Sequence, residues 1–275
     1  MVFKMKKSIS FVKEIFDDIK NNFLEDIKII EMENIPNEEY FKLEIQQWIK
    51  IKNIVCVYID LASSTKINIE ENQKLAAHIF NSYIKAVVKI FKEYQCKYID
   101  IQGDGGFALF DGDNKVTKAV VSAVTIKTLL SRDTNYLSNF VSDKLKNTNL
   151  SLRVGIHQGS ILAKKAGIRG ENEIVWLGDV VSVASKICNL KFYENNQFKS
   201  DTIRITETIY QNLTNKHLTI SCGCGGEAVD LWKKYIFEKP YFGLNNLYIL
   251  TTNWCEKCGD DFSYNAINNT KREIQ

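Results

Sequence analysis

Six consecutive apolar residues, Ile54-Val55-Cys56-Val57-Tyr58-Ile59, stop abruptly at Asp60, and no other stretch restricts the fold as strongly. The run is rich in β-branched and aromatic side chains, so it reads as a buried strand whose end reaches the surface at Asp60. The polar stretch Leu61-Ala62-Ser63-Ser64-Thr65 follows and can open onto a helix. A second carboxylate, Asp104, lies in Gly103-Asp104-Gly105-Gly106, between the strand-like runs Tyr98-Ile99-Asp100-Ile101 and Phe107-Ala108-Leu109-Phe110. A link of that length and glycine content makes a hairpin with Asp104 at its tip. Two aspartates on neighbouring strand ends suit Mg²⁺ or Mn²⁺, which take carboxylate oxygens and leave the rest of the shell to phosphates and water. Taken singly, Asp60 also serves as a helix cap and Asp104 as a turn former.

Helices and strands interleave along the chain. Strands are expected near 54–60, 97–102, 106–110, 151–157, 159–164 and 173–177. Glu70 to Tyr94 reads as a long helix with Leu75, Ile79, Tyr83, Val87 and Phe91 on one face, and Val116–Leu130 and Asp179–Asn189 as two more. The stretch from Ile9 to Ile30 carries Phe11, Ile15, Phe16, Ile19, Phe23 and Ile27 at near-helical spacing, which predicts an amphipathic helix that covers the core or pairs with a second subunit. Pro36-Asn37 marks a break after it, and Ser131–Thr148 reads as a helix flank and loop.

Four blocks in order carry a resemblance. They are Val57-Tyr58-Ile59-Asp60-Leu61 with Ser63-Ser64-Thr65, then Gly103-Asp104-Gly105-Gly106-Phe107-Ala108, then Arg153-Val154-Gly155-Ile156-His157-Gln158-Gly159, and Leu177-Gly178-Asp179-Val180-Val181-Ser182-Val183-Ala184-Ser185-Lys186. Over roughly residues 50–210 this set resembles the class III nucleotidyl cyclase catalytic domain. The resemblance implies an α+β fold with a ferredoxin-like core, a mixed sheet flanked by helices, preceded by an N-terminal helical segment and followed by a cysteine-containing C-terminal extension. It also implies two divalent ions, Mn²⁺ or Mg²⁺, held by Asp60, Asp104 and the backbone carbonyl of Leu61. The implied reaction is attack of the ribose 3′-hydroxyl on the α-phosphate, with release of pyrophosphate. Sites of this class lie at a dimer interface, with the metal residues from one subunit and the Asp179–Lys186 block from the other, so a homodimer with two equivalent sites is implied. Backbone N–H groups of Ser63, Ser64 and Thr65 at a helix start would bind phosphate, or serve only as a cap.

Departures from the better-known members concern the base and the phosphates. Adenylyl cyclases read adenine with a lysine shortly before the second metal aspartate and an aspartate before the last block. Here those regions read Lys97-Tyr98-Ile99-Asp100-Ile101-Gln102 and Glu173-Ile174-Val175-Trp176-Leu177. Tyr98 matches the base-discriminating tyrosine of the pyrimidine cyclases of Pycsar anti-phage systems, which make cyclic UMP or cyclic CMP. Tyr98 and Asp100 are two residues apart and share a strand face, so Asp100 either reads a base edge or carries an edge-strand charge. Ser182 stands where the family commonly has asparagine and Lys186 where it has arginine; lysine keeps the charge and loses the planar fork. The resemblance thus implies a UTP or CTP cyclase making a messenger in anti-phage defence, with an adenylyl or guanylyl cyclase, or a cyclase fold without turnover, as alternatives.

The chain reads as three parts: an N-terminal helical segment over 1–48, the catalytic domain over 49–215, and an extension over 216–275. The extension carries four of the seven cysteines, Cys222, Cys224, Cys255 and Cys258, as Cys-x-Cys and Cys-x-x-Cys pairs that form either a structural Zn²⁺ site or packed reduced thiols. Cys56, Cys96 and Cys188 lie in apolar runs and read as core. His157 and His78 read as packed or hydrogen-bonded residues rather than bases. A formal charge of +3 with interspersed Lys and Glu gives no argument for nucleic acid, and no apolar run approaches membrane-spanning length. Without a signal-type start, cytoplasmic location is the expectation.

Overall fold

A computed structural model describes the chain except for residues 1, 44–45, 63, 131–136, 143, 146–149, 195, 199–201, 215–217, 220–229 and 251–258. Helix α1 (Val2–Leu24) leads into strand β1 (Lys28–Met32) and, after a single 3-10 turn at Glu38–Tyr40, into the long strand β2 (Gln47–Leu61). Helices α2 (Ser64–Glu70) and α3 (Gln73–Glu93) precede the hairpin β3 (Tyr98–Gln102) and β4 (Gly105–Phe110). Then come α4 (Lys115–Leu130), α5 (Leu137–Ser142), β5 (Leu152–Ile168), β6 (Glu171–Leu177) and α6 (Asp179–Cys188). The remainder comprises β7 (Tyr193–Glu194), β8 (Gln197–Phe198), β9 (Thr202–Thr206), α7 (Glu207–Gln211), β10 (Lys233–Tyr241), β11 (Leu244–Leu250) and α8 (Gly259–Ile274).

One mixed sheet runs β10-β11-β9-β5-β2-β4-β3, with β1 added to β2 and β6 to β5. The apolar run of β2 lies at its centre, antiparallel to β4 on one side and β5 on the other. Its residues from Ile54 to Val57 are fully buried, because odd positions face one layer and even positions the other. On the odd face Val55, Val57, Ile59 and Leu61 pack under α3 and α4. Helix α3 earns that position through Ala76, Ile79, Tyr83, Val87 and Phe91, spaced at one turn, and starts cleanly because the Asn72 side chain accepts from the Leu75 N–H at 2.9 Å. Helix α4 is buried nearly all round, consistent with its lying between α3 and α8. On the even face Ile54 and Cys56 meet Val180 and Ala184 of α6, together with Ile35 and Phe41. That face is covered only in part, and the candidate site lies where α6 stops covering it.

Several boundaries differ from the sequence expectation. The predicted strands 151–157 and 159–164 form one strand, β5, because β2 continues opposite both and absorbs the misfit in its own bulge. Pairing slips between Ile51 and Ile54, where Asn53 takes a left-handed φ of 63°. The helix predicted from the Ile9–Ile30 spacing ends at Leu24, and Ile29 and Ile30 belong to β1, parallel to β2 with Ile30 opposite Ile49. The sheet also extends past residue 215 through β10 and β11, with Leu247–Leu250 pairing antiparallel to Thr206–Ile203. Cys222, Cys224, Cys255 and Cys258 lie outside the described residues, whereas Cys56, Cys96 and Cys188 are buried free thiols.

Candidate active site

Asp60 emerges at the end of β2 directly between Gly105 of β4 and Arg153 of β5. The Arg153 guanidinium donates to the Asp60 carboxylate in a part-buried ion pair, while its Nε has no hydrogen-bond partner. Asp104 occupies the turn between β3 and β4, and its backbone carbonyl accepts from the Leu61 N–H at 3.2 Å. The hairpin tip is thereby tied to the residue after Asp60. Glycine is required for this approach: a Cβ on Gly105 would lie 3.0 Å from the Ile59 carbonyl and 3.3 Å from Asp60 Oδ1, and one on Gly106 would lie 2.2 Å from the Asp100 carbonyl. Gly103 has a φ of 65°, which the turn needs and glycine supplies freely.

Helix α6 forms the opposite wall. Its first residue follows Gly178, where a Cβ would lie 2.5 Å from the Ser160 carbonyl, so the helix start rests against β5. Farther along, Gly155 of β5 lets the helix backbone approach still closer, since a Cβ there would meet the Ala184 carbonyl at 2.1 Å. Between α6 and the β3–β4 hairpin lies a cavity of about 430 Å³. Asp100, Gln102 and Phe107 line one side, Val181, Ser182 and Ser185 the other, and Tyr58 and Trp176 complete it. Burial raises the pKa of the Tyr58 phenol, partly offset by Ser185. Tyr58 and Asp60 share a face of β2, so the cavity leads toward the aspartates.

The structure therefore gathers Asp100 and Ser182 on one cavity and puts Asp60 and Asp104 together at its strand-end side. Ser182 also donates to the Gly178 carbonyl at 2.9 Å, which holds its hydroxyl against the helix start. Tyr98 does not line the cavity. Its ring packs behind Trp176, centroids 4.6 Å apart, and beside Phe107 at 6.1 Å, and burial raises its phenol pKa. Lys186 does not line it either: its ammonium sits 5.4 Å from the ring centroid of Phe242, beyond β10. Ser64 is buried at the start of α2 and Thr65 is exposed, so a helix does open after Leu61; Ser63 lies outside the described residues. His157 is buried with Nδ1 3.2 Å from the Thr206 hydroxyl, and His78 is exposed on α3.

Arg153, Tyr58, Gln102 and Trp176 carried no role in the sequence reading. Strand alternation was the available signal for Tyr58 and Gln102, each two residues from a carboxylate already singled out. No comparable signal marks Arg153, whose neighbour is set by cross-strand register, or Trp176, which needs β6 placed beside the hairpin. Among the described residues no cluster of three or more His, Cys, Asp or Glu side chains is arranged for a metal; the aspartates offer two carboxylates. No helix among those residues is long and apolar enough to cross a membrane.

Comparison with known proteins adds four findings. Residues 47–228 match the family model described as the adenylate and guanylate cyclase catalytic domain. The chain is 31% identical over 235 residues to a uridylate cyclase of Micromonospora echinofusca, spanning 84% of this chain and 74% of the relative. It is 30% identical over 220 residues to a uridylate cyclase of Propioniciclava tarda, spanning 78% and 68%. Among solved structures, the adenylyl cyclase CyaB from P. aeruginosa superposes with a TM-score of 0.55 at 17% identity, covering 74% of this chain and 96% of that one, which shows the shared fold.

Proposed function

The chain belongs to the family of adenylate and guanylate cyclase catalytic domains and is a nucleotidyl cyclase, and we propose that its reaction is the conversion of UTP to 3′,5′-cyclic UMP and pyrophosphate. The observation that carries the base assignment is the cavity beside the aspartates. Among the described residues no lysine lines it, so the group with which adenylyl cyclases read adenine has no counterpart in that lining. Instead it presents a carboxylate, Asp100, and an amide, Gln102, beside the Trp176 ring backed by Tyr98. A carboxylate accepts the single imide N–H of uracil, and an amide N–H₂ donates to a flanking carbonyl. The same pair also serves cytosine, with the 4-amino group facing Asp100 and N3 facing Gln102. Preference for UTP over CTP rests on the relatives named uridylate cyclase.

Folds of this family are generally metal-dependent, and Asp60 and Asp104 fit that requirement. They give oxygen-only donors on tied strand ends, and Gly105 leaves the side of Asp60 Oδ1 clear. With the Leu61 carbonyl they would hold two Mn²⁺ or Mg²⁺ ions. Bound there, divalent ions supply acidity to the ribose 3′-hydroxyl and neutralise charge on the triphosphate and leaving group. The chain does the remaining work by positioning. Backbone donors from Ser63 to Thr65 hold phosphate, Arg153 orients Asp60, and the cavity fixes the base so that the 3′-hydroxyl faces the α-phosphate. Lys186 serves the phosphates of the other subunit's substrate in a homodimer, while Ser182 faces the cavity of its own chain. That assignment is supported by Lys186 pointing over Phe242, away from its own chain's cavity. A cytoplasmic enzyme supplying a messenger in anti-phage defence is the role in keeping with the resemblance to Pycsar cyclases.

Incubation of purified protein with each of the four ribonucleoside triphosphates and Mn²⁺, followed by chromatography, tests the reading. Cyclic UMP should dominate. Clear preference for ATP or GTP would sink it, and dominant cyclic CMP would move the assignment to a cytidylate cyclase.

A further inference from the structure

A bulky aromatic residue occupies the turn between β10 and β11, where the backbone suits it poorly. Tyr241 pairs with Leu244 across a two-residue loop whose members both lie in the left-handed region, Phe242 with φ 50° and Gly243 with φ 79°. Hairpin turns of this kind favour Asn-Gly or Gly-Gly, since most side chains are strained at positive φ. The Phe242 ring is also 54% exposed, so neither turn geometry nor core packing accounts for a phenylalanine at this position.

What the ring does meet is Lys186 of α6. The Lys186 ammonium stands 5.4 Å from the Phe242 ring centroid, within the range at which an aromatic face attracts a cation. A second contact comes from the neighbouring residue, whose Tyr241 hydroxyl donates to the Lys186 carbonyl at 3.4 Å. Tyr241 also steadies the tip: its ring meets that of Phe242 edge-on at 4.8 Å and stacks on Phe237 at 5.3 Å. Phe237, Tyr241 and Leu244 pack against the cluster containing Val183 and Ile187, which seats the hairpin on the helix that carries Lys186.

We infer that Phe242 is a positioning residue for Lys186, its ring fixing where the ammonium stands; this rests on the role proposed for Lys186 at the phosphates. Lysine places a point charge on a flexible four-carbon stem and lacks the planar fork with which arginine orients itself, so a charge aimed across an interface needs outside support. An aromatic face gives that support and leaves the full charge available. A carboxylate in the same place would form an ion pair and compete with phosphate.

The test uses the full chain, Mn²⁺ and whichever nucleoside triphosphate the wild type cyclises fastest, which separates it from the choice of base. Phe242→Leu should lower kcat about three- to tenfold with KM within about twofold, as expected when a weak contact acting in the transition state is removed. Phe242→Tyr keeps the ring and should keep turnover. Phe242→Asn suits the turn better and should unfold in urea at or above the wild-type midpoint while losing as much turnover as Phe242→Leu, a split that a purely structural role does not produce. In a Lys186→Met background, Phe242→Leu should cost less than about twofold more, because both residues act through one contact. Equal turnover of Phe242→Leu and Phe242→Tyr overturns the inference, even where Lys186→Met is too slow to measure. A loss undiminished without Lys186, with weaker dimerisation by sedimentation, also overturns it and makes Phe242 a contact of the subunit interface. Slow turnover by Lys186→Met beside a fully active Phe242→Leu rejects the inference and keeps the role of Lys186. Full activity of both variants removes that role as well.

Discussion

His157 sits buried on β5 with Thr206 as its neighbour, and burial lowers the pKa of its imidazole below the ordinary value of 6.5. The unfolded chain protonates this histidine near 6.5 while the folded chain resists, so the unfolded state binds more protons as acid is added. Stability is therefore full above that range and falls as pH drops through it. Urea unfolding at about pH 7.5 and about pH 5.5 should show a lower midpoint at the acidic value, and His157→Gln should flatten the difference. An equal difference in the variant would assign the effect to other groups. At this scale Asp60 and Asp104 stood out in the sequence because strand ends and glycine turns are local patterns. Arg153 did not, since its ion pair with Asp60 exists only through the Asp60–Arg153 register of β2 and β5.

Helix α6 owes its position to glycine. With the Ala184 carbonyl 2.1 Å and the Cys188 N 2.7 Å from a Cβ placed on Gly155, even a methyl group must displace helix or strand, and both contacts are backbone. Gly155→Ala should cost about 3 kcal/mol by urea unfolding, and should lower nucleotide turnover by moving Ser182 and Ser185 away from Asp100. A stability within about 0.5 kcal/mol of wild type would show that the contact relaxes freely. Buried Arg204 supports the other end of the helix, donating to the Ile187 carbonyl at 2.9 Å, while burial lowers its pKa to about 10. Elements with a strong local signal, such as the 54–60 part of β2, α3 and the β3–β4 hairpin, were legible in the sequence near their observed places, whereas the start of β2 at Gln47 was not. Strand β10 was not: its Lys233-Lys234-Tyr235 start lies on a largely exposed edge, where alternation of buried and polar residues is lost. The end of α1 was missed for a related reason, because Ile27, Ile29 and Ile30 extend the helical spacing while pairing decides for a strand.

If one copy supplies the aspartates and the other supplies Lys186, inactive variants should rescue each other. Asp60→Ala and Lys186→Ala, each inactive alone, should recover about a quarter of wild-type turnover when mixed and allowed to exchange. Half of the dimers are then mixed, and each mixed dimer has one intact site of two. No recovery, despite exchange confirmed by mass, would show that each chain completes its own site. The mixed sheet flanked by helices, which the sequence made legible through the order of its four blocks, leaves this question to the assembly. The bulge at Asn53 bears on the same assembly. Downstream of it, eight consecutive pairs from Ile54↔Gly159 to Leu61↔Leu152 fix Asp60 against β5 without a slip. Upstream, β1 and the start of β2 follow a separate register. A change of length upstream of Asn53 therefore falls on β1 and the start of β2, while the unbroken pairing downstream keeps Asp60 opposite Arg153.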